Sequence, residues 1–449
     1  MRTLLTFYIL LSLNAIFAEQ IDEYVRIGLD NNLALKQKEF NYDKSVHALK
    51  EARGMFFPSL SLEARYSRAG GGREIEFPVG DILNPVYSTL NQLIGSQSFP
   101  QLDNELIPFL REKEHETKLR LVQPVFQYSL FSNYNIKDEL NKSTKEELES
   151  YKQELKKEIK IAYYQYIQAS EIKDLYNSTM DLVNENVRVS QVLFDNDLAT
   201  RDIIYRSKAE KLKIEQNLAS ATQKHLLARS YFNFLLNRDL EATIDVTKSN
   251  ELPVVTTDIK DAETQALNQR REIRQLTYAV NASQDFVGLT SANYYPHLNI
   301  VFDYGFQGAE YRFGDEDDYW MASAVLSWNL FNGFQDYEKR QQAQMDNKIL
   351  RIQLQQLKEN IRLQVKDSFH ALDTAKKNYE SAREQENYSN ESFKIISKKY
   401  EQGLASQIEL IDARVNMTNS KIDTVINYYN YLIKHVEFLQ LTGALTIEN

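Results

Sequence analysis

The sequence predicts a mainly α-helical protein carrying four β-strands, built as two copies of one helix–strand–strand–helix–helix series. Three observations carry this. Gly (14) and Pro (8) are scarce in 449 residues, so long stretches have nothing to break a helix. Four short segments alternate apolar and polar residues with period two, the mark of a strand with one apolar face. The series then recurs: Ile21 and Pro58 reappear as Ile259 and Pro296, each 238 residues on, and a fixed offset of this kind marks an internal repeat.

Residues 1–18, MRTLLTFYILLSLNAIFA, hold Arg2 and then sixteen uncharged residues ending at Ala18. This reads as a secretory signal peptide, with a retained anchor helix as the other reading. Its removal takes away one base and no acid, leaving 52 − 63 = −11 from the formal −10. No later stretch approaches the ~20 apolar residues of a membrane helix, so the exported chain is either soluble or crosses a membrane as strands. The acidic balance without a basic cluster argues against nucleic acid. Cys is absent, which excludes disulfides, thiolate metal sites and a Cys nucleophile.

The first repeat, 19–257, begins with a helix over 21–53 that Gly54 closes. A strand is expected over 56–69, where Leu60, Leu62, Ala64 and Tyr66 alternate with Ser61, Glu63, Arg65 and Ser67. A Gly- and Pro-containing loop runs from Ala69 to about Glu114, and the second strand covers 115–128. A helical hairpin over 129–237 follows, its apolar residues spaced three or four apart as in a coiled-coil seam. The second repeat, 258–449, places strands at 294–308 and 319–331 and a hairpin at 333–443. Aromatic residues near the strand ends (Phe56, Phe57, Phe126, Tyr294, Tyr295, Tyr319, Phe331) suit a membrane-interface girdle. Pro58 to Pro124 is 66 residues but Pro296 to Asn329 is 33, so one hairpin loop holds nearly all the length difference between the repeats.

Each hairpin turns at a matching tip. In KKYEQGLASQIELIDAR (398–414) the helix stops at Gly403 and restarts at Ser406, which with Glu409 fits a capping box. In VLFDNDLATRDIIYRSK (192–208), Asn196-Asp197 replaces Gln402-Gly403.

Four strands cannot close a barrel, for which about eight is the practical minimum. An apolar sheet face and unpaired edges in an exported chain call for several copies. The alternative is a small two-sheet sandwich stapled to a helical stalk. The Arg, Lys, Glu and Asp of the polar strand faces suit a watery lumen better.

The duplication, the [FY]-[FY]-P-x-L strand starts at Phe56–Leu60 and Tyr294–Leu298, and the Y-x-x-G-x-x-S-x-x-x-L-x-D-A pattern at Tyr400–Ala413 resemble the TolC-like outer-membrane efflux proteins (outer membrane factors). The resemblance covers essentially all of the chain after the leader. It implies a homotrimer with a twelve-stranded barrel in outer-membrane lipid, continued by a long α-helical coiled-coil barrel into the periplasm of a Gram-negative-type envelope. It further implies an exit duct that passively conducts substrates from an inner-membrane transporter, docked through a periplasmic adaptor, in tripartite efflux or type I secretion.

By the same resemblance the docking positions are Asp197, Leu198, Ala199 and Thr200 in the first tip and Gly403, Leu404, Ala405 and Ser406 in the second; otherwise they are turn residues only. Acids at a closed aperture would be Glu409 and Asp412, whose other roles are helix cap and solvated acid. A latch between the hairpins uses an aromatic, an Arg and an acid in the family. Tyr400 is present, but the Arg position holds Ala405 and the acid position Ile203, leaving Arg201 and Asp202 as nearby substitutes. His47, His115, His225, His297, His370 and His435 are scattered without a catalytic or metal spacing, so neither an enzyme nor a cofactor is expected. The acidic run Asp315–Asp318 reads as a solvated outer loop, or else a cation site. The competing reading of the whole is an exported coiled-coil spacer or adhesin without a pore.

Overall fold

A computed structural model describes residues 20–247 and 252–445; the expected signal peptide at 1–18 lies outside them. In chain order the elements are α1 (20–31), α2 (Leu33–Gly54), β1 (Ser59–Arg68), β2 (Glu74–Phe77), α3 (Val79–Ile94), β3 (Glu105–Pro108), β4 (Lys113–Phe126), α4 (Tyr128–Asp195) and α5 (Asp202–Leu235). Then come α6 (Ile259–Gln269), α7 (Arg271–Thr290), β5 (His297–Gly308), β6 (Asp318–Ser327), α8 (Gln335–Glu401) and α9 (Gln407–Thr442). The chain is mainly helical and duplicated, as its sequence predicts. It divides into a helical unit (up to His47, Asp138–Ser283 and from Met345 on) and a β unit (Ala48–Lys137 and Gln284–Gln344).

The first helix differs from the expectation over 21–53. It breaks at Asn32, whose side-chain oxygen accepts from Leu35 N at 3.0 Å while its amide donates to Leu235 O at 2.9 Å. Asn32 thus caps α2, which a helical Asn could not do. Arg270, extended at φ −62 and ψ 125, breaks the second repeat between α6 and α7, at the same offset of 238.

In the helical unit, Tyr24, Tyr163 and Phe232 pack edge-on or tilted at 5.1–5.9 Å, with Val25, Ile159, Leu236, Val365 and Phe438 buried in the same core. Here α1 comes so close to α4 that a Cβ on Gly28 would stand 2.3 Å from Ile159 Cδ1. Helix α4 runs 68 residues and α8 67, about 100 Å each at ~1.5 Å per residue, and packing against the core does more than local propensity to hold helices of this length.

In the β unit the four long strands form one antiparallel sheet in the order β1-β4-β5-β6. Its register sorts the side chains. Leu60, Leu62, Leu119, Leu121, Ile300, Phe302, Tyr304, Trp320 and Leu326 share one face and are exposed. The other face carries Glu63, Arg65, Glu116, Lys118, Arg120 and Asp303. Arg120 grips the fully buried Asp303 through two hydrogen bonds of 2.8 and 2.7 Å, and Lys118 stands 2.9 Å from Glu116. β1 and β6 are edges without a neighbour among the described residues. Among the described residues no second sheet covers the apolar face, which is exposed, so the sandwich alternative fails.

Three further differences concern this unit. Tyr319 belongs to the polar face, donating to Glu116 at 2.6 Å, and is not a girdle residue. β6 stops at Ser327, and Trp328 donates to Tyr294 O at 3.2 Å. The expected loop from Ala69 to Glu114 instead folds into β2, α3 and β3. The strands are four residues long, too short for alternation to reveal, and Pro85 stands inside α3, where a proline ordinarily argues against a helix.

Candidate functional site: the paired helical tips

Both hairpins turn through the same backbone device. Asp197 and Gly403 adopt left-handed φ of 56° and 71°. Leu198 N donates to Leu193 O at 2.9 Å and Asp197 N to Phe194 O at 3.0 Å; Leu404 N donates to Lys399 O at 2.8 Å and Gly403 N to Tyr400 O at 3.0 Å. These paired bonds make a Schellman ending, which satisfies the last carbonyls of α4 and α8. Asp replaces Gly in the first tip because a short polar side chain tolerates this conformation better than most. The residue after each turn ordinarily folds back on its helix, yet Leu198 and Leu404 are 74% and 73% exposed.

The restarts differ. Ser406 and Glu409 form the complete capping box, with the Glu409 carboxylate accepting from Ser406 N at 2.7 Å and from its hydroxyl at 2.8 Å. Those bonds, the backbone one foremost, hold the Glu409 pKa below the ordinary Glu value. Asp412, three residues on, is exposed with it, away from the face that buries Gln407, Leu410, Arg414 and Met417. The two acids therefore share one free helix face. At the first tip Arg201 makes no side-chain cap; Asp202 bonds to the Thr200 hydroxyl and, at 3.3 Å, to Arg206. The Thr200 contact chiefly lowers the Asp202 pKa.

The structure does not bring the expected latch set together. Arg201 lies over the Phe194 ring at 5.8 Å, and the bonds of Asp202 stay within its own hairpin. Tyr400 is half-buried at the end of α8, where burial raises its pKa.

Other residues join the hairpins instead. The Gln407 amide donates to Ser190 Oγ at 3.2 Å, Ile203 O at 3.1 Å and Ser207 Oγ at 2.7 Å, and the two serines bond at 2.7 Å. Two turns further along α9, Arg414 meets Glu210 of α5 through both guanidinium arms, one at 3.1 Å, with side chains 5% and 9% exposed. A buried, two-armed pair fixes α5 against α9 in one register. Sequence reasoning missed this clasp, although a signal existed. Gln407 and Arg414 interrupt a seam whose neighbouring positions are Leu410 and Met417, and a polar residue at a seam position specifies partner and register.

Comparison with known proteins agrees with this architecture. Residues 263–444 match the family described as Outer membrane efflux protein. The chain's fold is that of outer-membrane channels. It superimposes on the Campylobacter jejuni CmeC outer membrane channel with TM-score 0.78 at 15% identity, covering 95% of this chain and 86% of that one. For VceC, an outer membrane protein of Vibrio cholerae, the values are 0.76, 13%, 95% and 96%. For the open state of the Neisseria gonorrhoeae MtrE outer membrane channel they are 0.74, 14%, 94% and 89%. No curated protein sequence matches. The sequence match thus lies in the second repeat, while the likeness of fold extends over both.

Proposed function

We propose that this chain is the exit duct of a tripartite efflux or type I secretion system, set in the outer membrane and reaching into the periplasm. One observation carries the reading: a four-stranded sheet with an apolar exposed face, a charged opposite face and two free edges. Three copies joined edge to edge give twelve strands, apolar outward to lipid and charged inward to water. The duplicated hairpins, with helices of 68 and 67 residues, would assemble into the helical barrel.

The exposed Leu198 and Leu404 would be the knobs on which a periplasmic adaptor docks, flanked by Asp197, Ala199 and Thr200 and by Gly403, Ala405 and Ser406. Glu409 and Asp412 would line the aperture, where three copies place six carboxylates around the pore. Such a ring favours cations and resists anions. The chain performs no chemistry in this role; the inner-membrane transporter supplies the driving energy. The clasp of Gln407 and Arg414 would take the place of the absent latch Arg.

The test is fractionation and gel analysis of the native protein. Heat-resistant trimers in the outer-membrane fraction are expected. A monomer or a soluble rod would support the spacer or adhesin and overturn the duct.

A further inference from the structure

The insertion between β1 and β4 inverts the usual economy of an amphipathic helix. Its polar side is tied down within the chain. Asn84 donates to Leu102 O at 2.9 Å and accepts from Leu102 N at 2.8 Å; Asn91 donates to Phe99 O at 2.7 Å and accepts from Phe99 N at 2.9 Å. The two side-chain amides thus hold the return segment along α3 as a strand edge would. At about 100° per residue, Ile82, Val86 and Leu93 fall within about 40° of one another on the opposite side. They are 60%, 52% and 77% exposed, and Ile94 beside them 54%. A pre-built helix presenting its apolar stripe to solvent is a surface made to be covered.

The charge pattern says by what. From Ile82 to Leu102 there is no Asp, Glu, Lys, Arg or His. The insertion as a whole, 69–112, holds two bases and six acids, 2 − 6 = −4. A net negative segment without Lys or Arg on its apolar helix is poorly suited to an anionic lipid surface. The uncharged stripe, by contrast, meets a copy of itself without repulsion. The insertion also leaves the sheet at the Arg68–Lys113 end of the ladder of β1, an edge strand where adjoining copies would pair.

We infer that α3 packs against the α3 helices of the neighbouring copies, so that three apolar stripes meet around the symmetry axis beyond the sheet. This rests on the trimer proposed above. It gives the long loop a part in assembly.

The native chain has no Cys, so Leu93→Cys introduces a unique thiol. Oxidation of outer membranes carrying this variant should give a disulfide-linked dimer. With three copies around one axis, one of each three thiols lacks a partner, so cross-linking should stop at about two thirds of the chains. Ser88→Cys, away from the stripe, should stay monomeric on a denaturing gel and react freely with an external maleimide. Heat-resistant trimers in which Leu93→Cys fails to cross-link and is labelled as fast as Ser88→Cys would overturn this inference alone, and would point to lipid or a foreign partner. Loss of trimers in the wild-type chain would overturn it together with the duct.

Discussion

The buried pair of Glu210 and Arg414 fixes the two helical hairpins against each other at the tip. Their side chains are 9% and 5% exposed, and Arg414 bonds to Glu210 through both guanidinium arms. Truncating either leaves the other charge buried without its partner, which costs about 3–5 kcal/mol. At about 1.36 kcal/mol per tenfold change, local opening of the tip becomes roughly two to nearly four powers of ten more frequent. Amide hydrogen exchange of the assembled protein reads this directly. Glu210→Ala or Arg414→Ala should speed exchange by that factor over the turns around 203–214 and 407–418, leaving the core around Tyr163 and Phe232 unchanged. Glu210→Leu with Arg414→Met replaces both charges by packed apolar groups, which is often neutral, and should bring exchange back to within about tenfold of the wild type. Unchanged exchange in either single variant would refute the clasp. Losses in the double variant equal to the sum of the singles would show that the two residues do not act as a pair.

Other outcomes follow from the same geometry. Leu198→Asp with Leu404→Asp should abolish efflux or secretion in cells while heat-resistant trimers persist; retained transport would remove the knobs from docking. The folded-state pKa of Glu409 lies below its ordinary value, so its capping contribution is present at neutral pH and fades as pH falls below about 4. Tip exchange should rise through that range, and Glu409→Gln should flatten the response. Gly28→Ala forces a Cβ towards Ile159 and Leu236. It should cost about 1–3 kcal/mol in strain, less roughly 1 kcal/mol of helix propensity, read as a lower thermal midpoint.

Much of this was legible in the sequence because the chain repeats. The offset of 238 aligned Pro58 with Pro296 and put strands where alternation already suggested them. The sheet then took the register that sends Leu60, Leu62 and Leu121 to one face and Glu63 and Arg120 to the other. Tip geometry was legible for the same reason, since Gly403 and Ser406 carry local signals and Asp197 inherits its role by alignment. What stayed hidden depends on contacts distant in sequence. Ser190 and Ser207 look like solvated helix positions until α4, α5 and α9 come together and bury them around Gln407. Helix α3 stayed hidden because Pro85 lies inside it, and the ties of Asn84 and Asn91 that hold it to the return segment cannot be read from periodicity. Asn32 broke the first helix through a bond to Leu235, 203 residues away.

Planar-bilayer recording of the purified protein tests the central claim most directly. Discrete, cation-selective channels of low conductance, blocked by polyvalent cations, are expected. Glu409→Ala with Asp412→Ala should raise the conductance or weaken that block. Absence of any channel from properly assembled trimers would contradict the duct. Unchanged conductance and block in the double variant would take the acids out of the aperture.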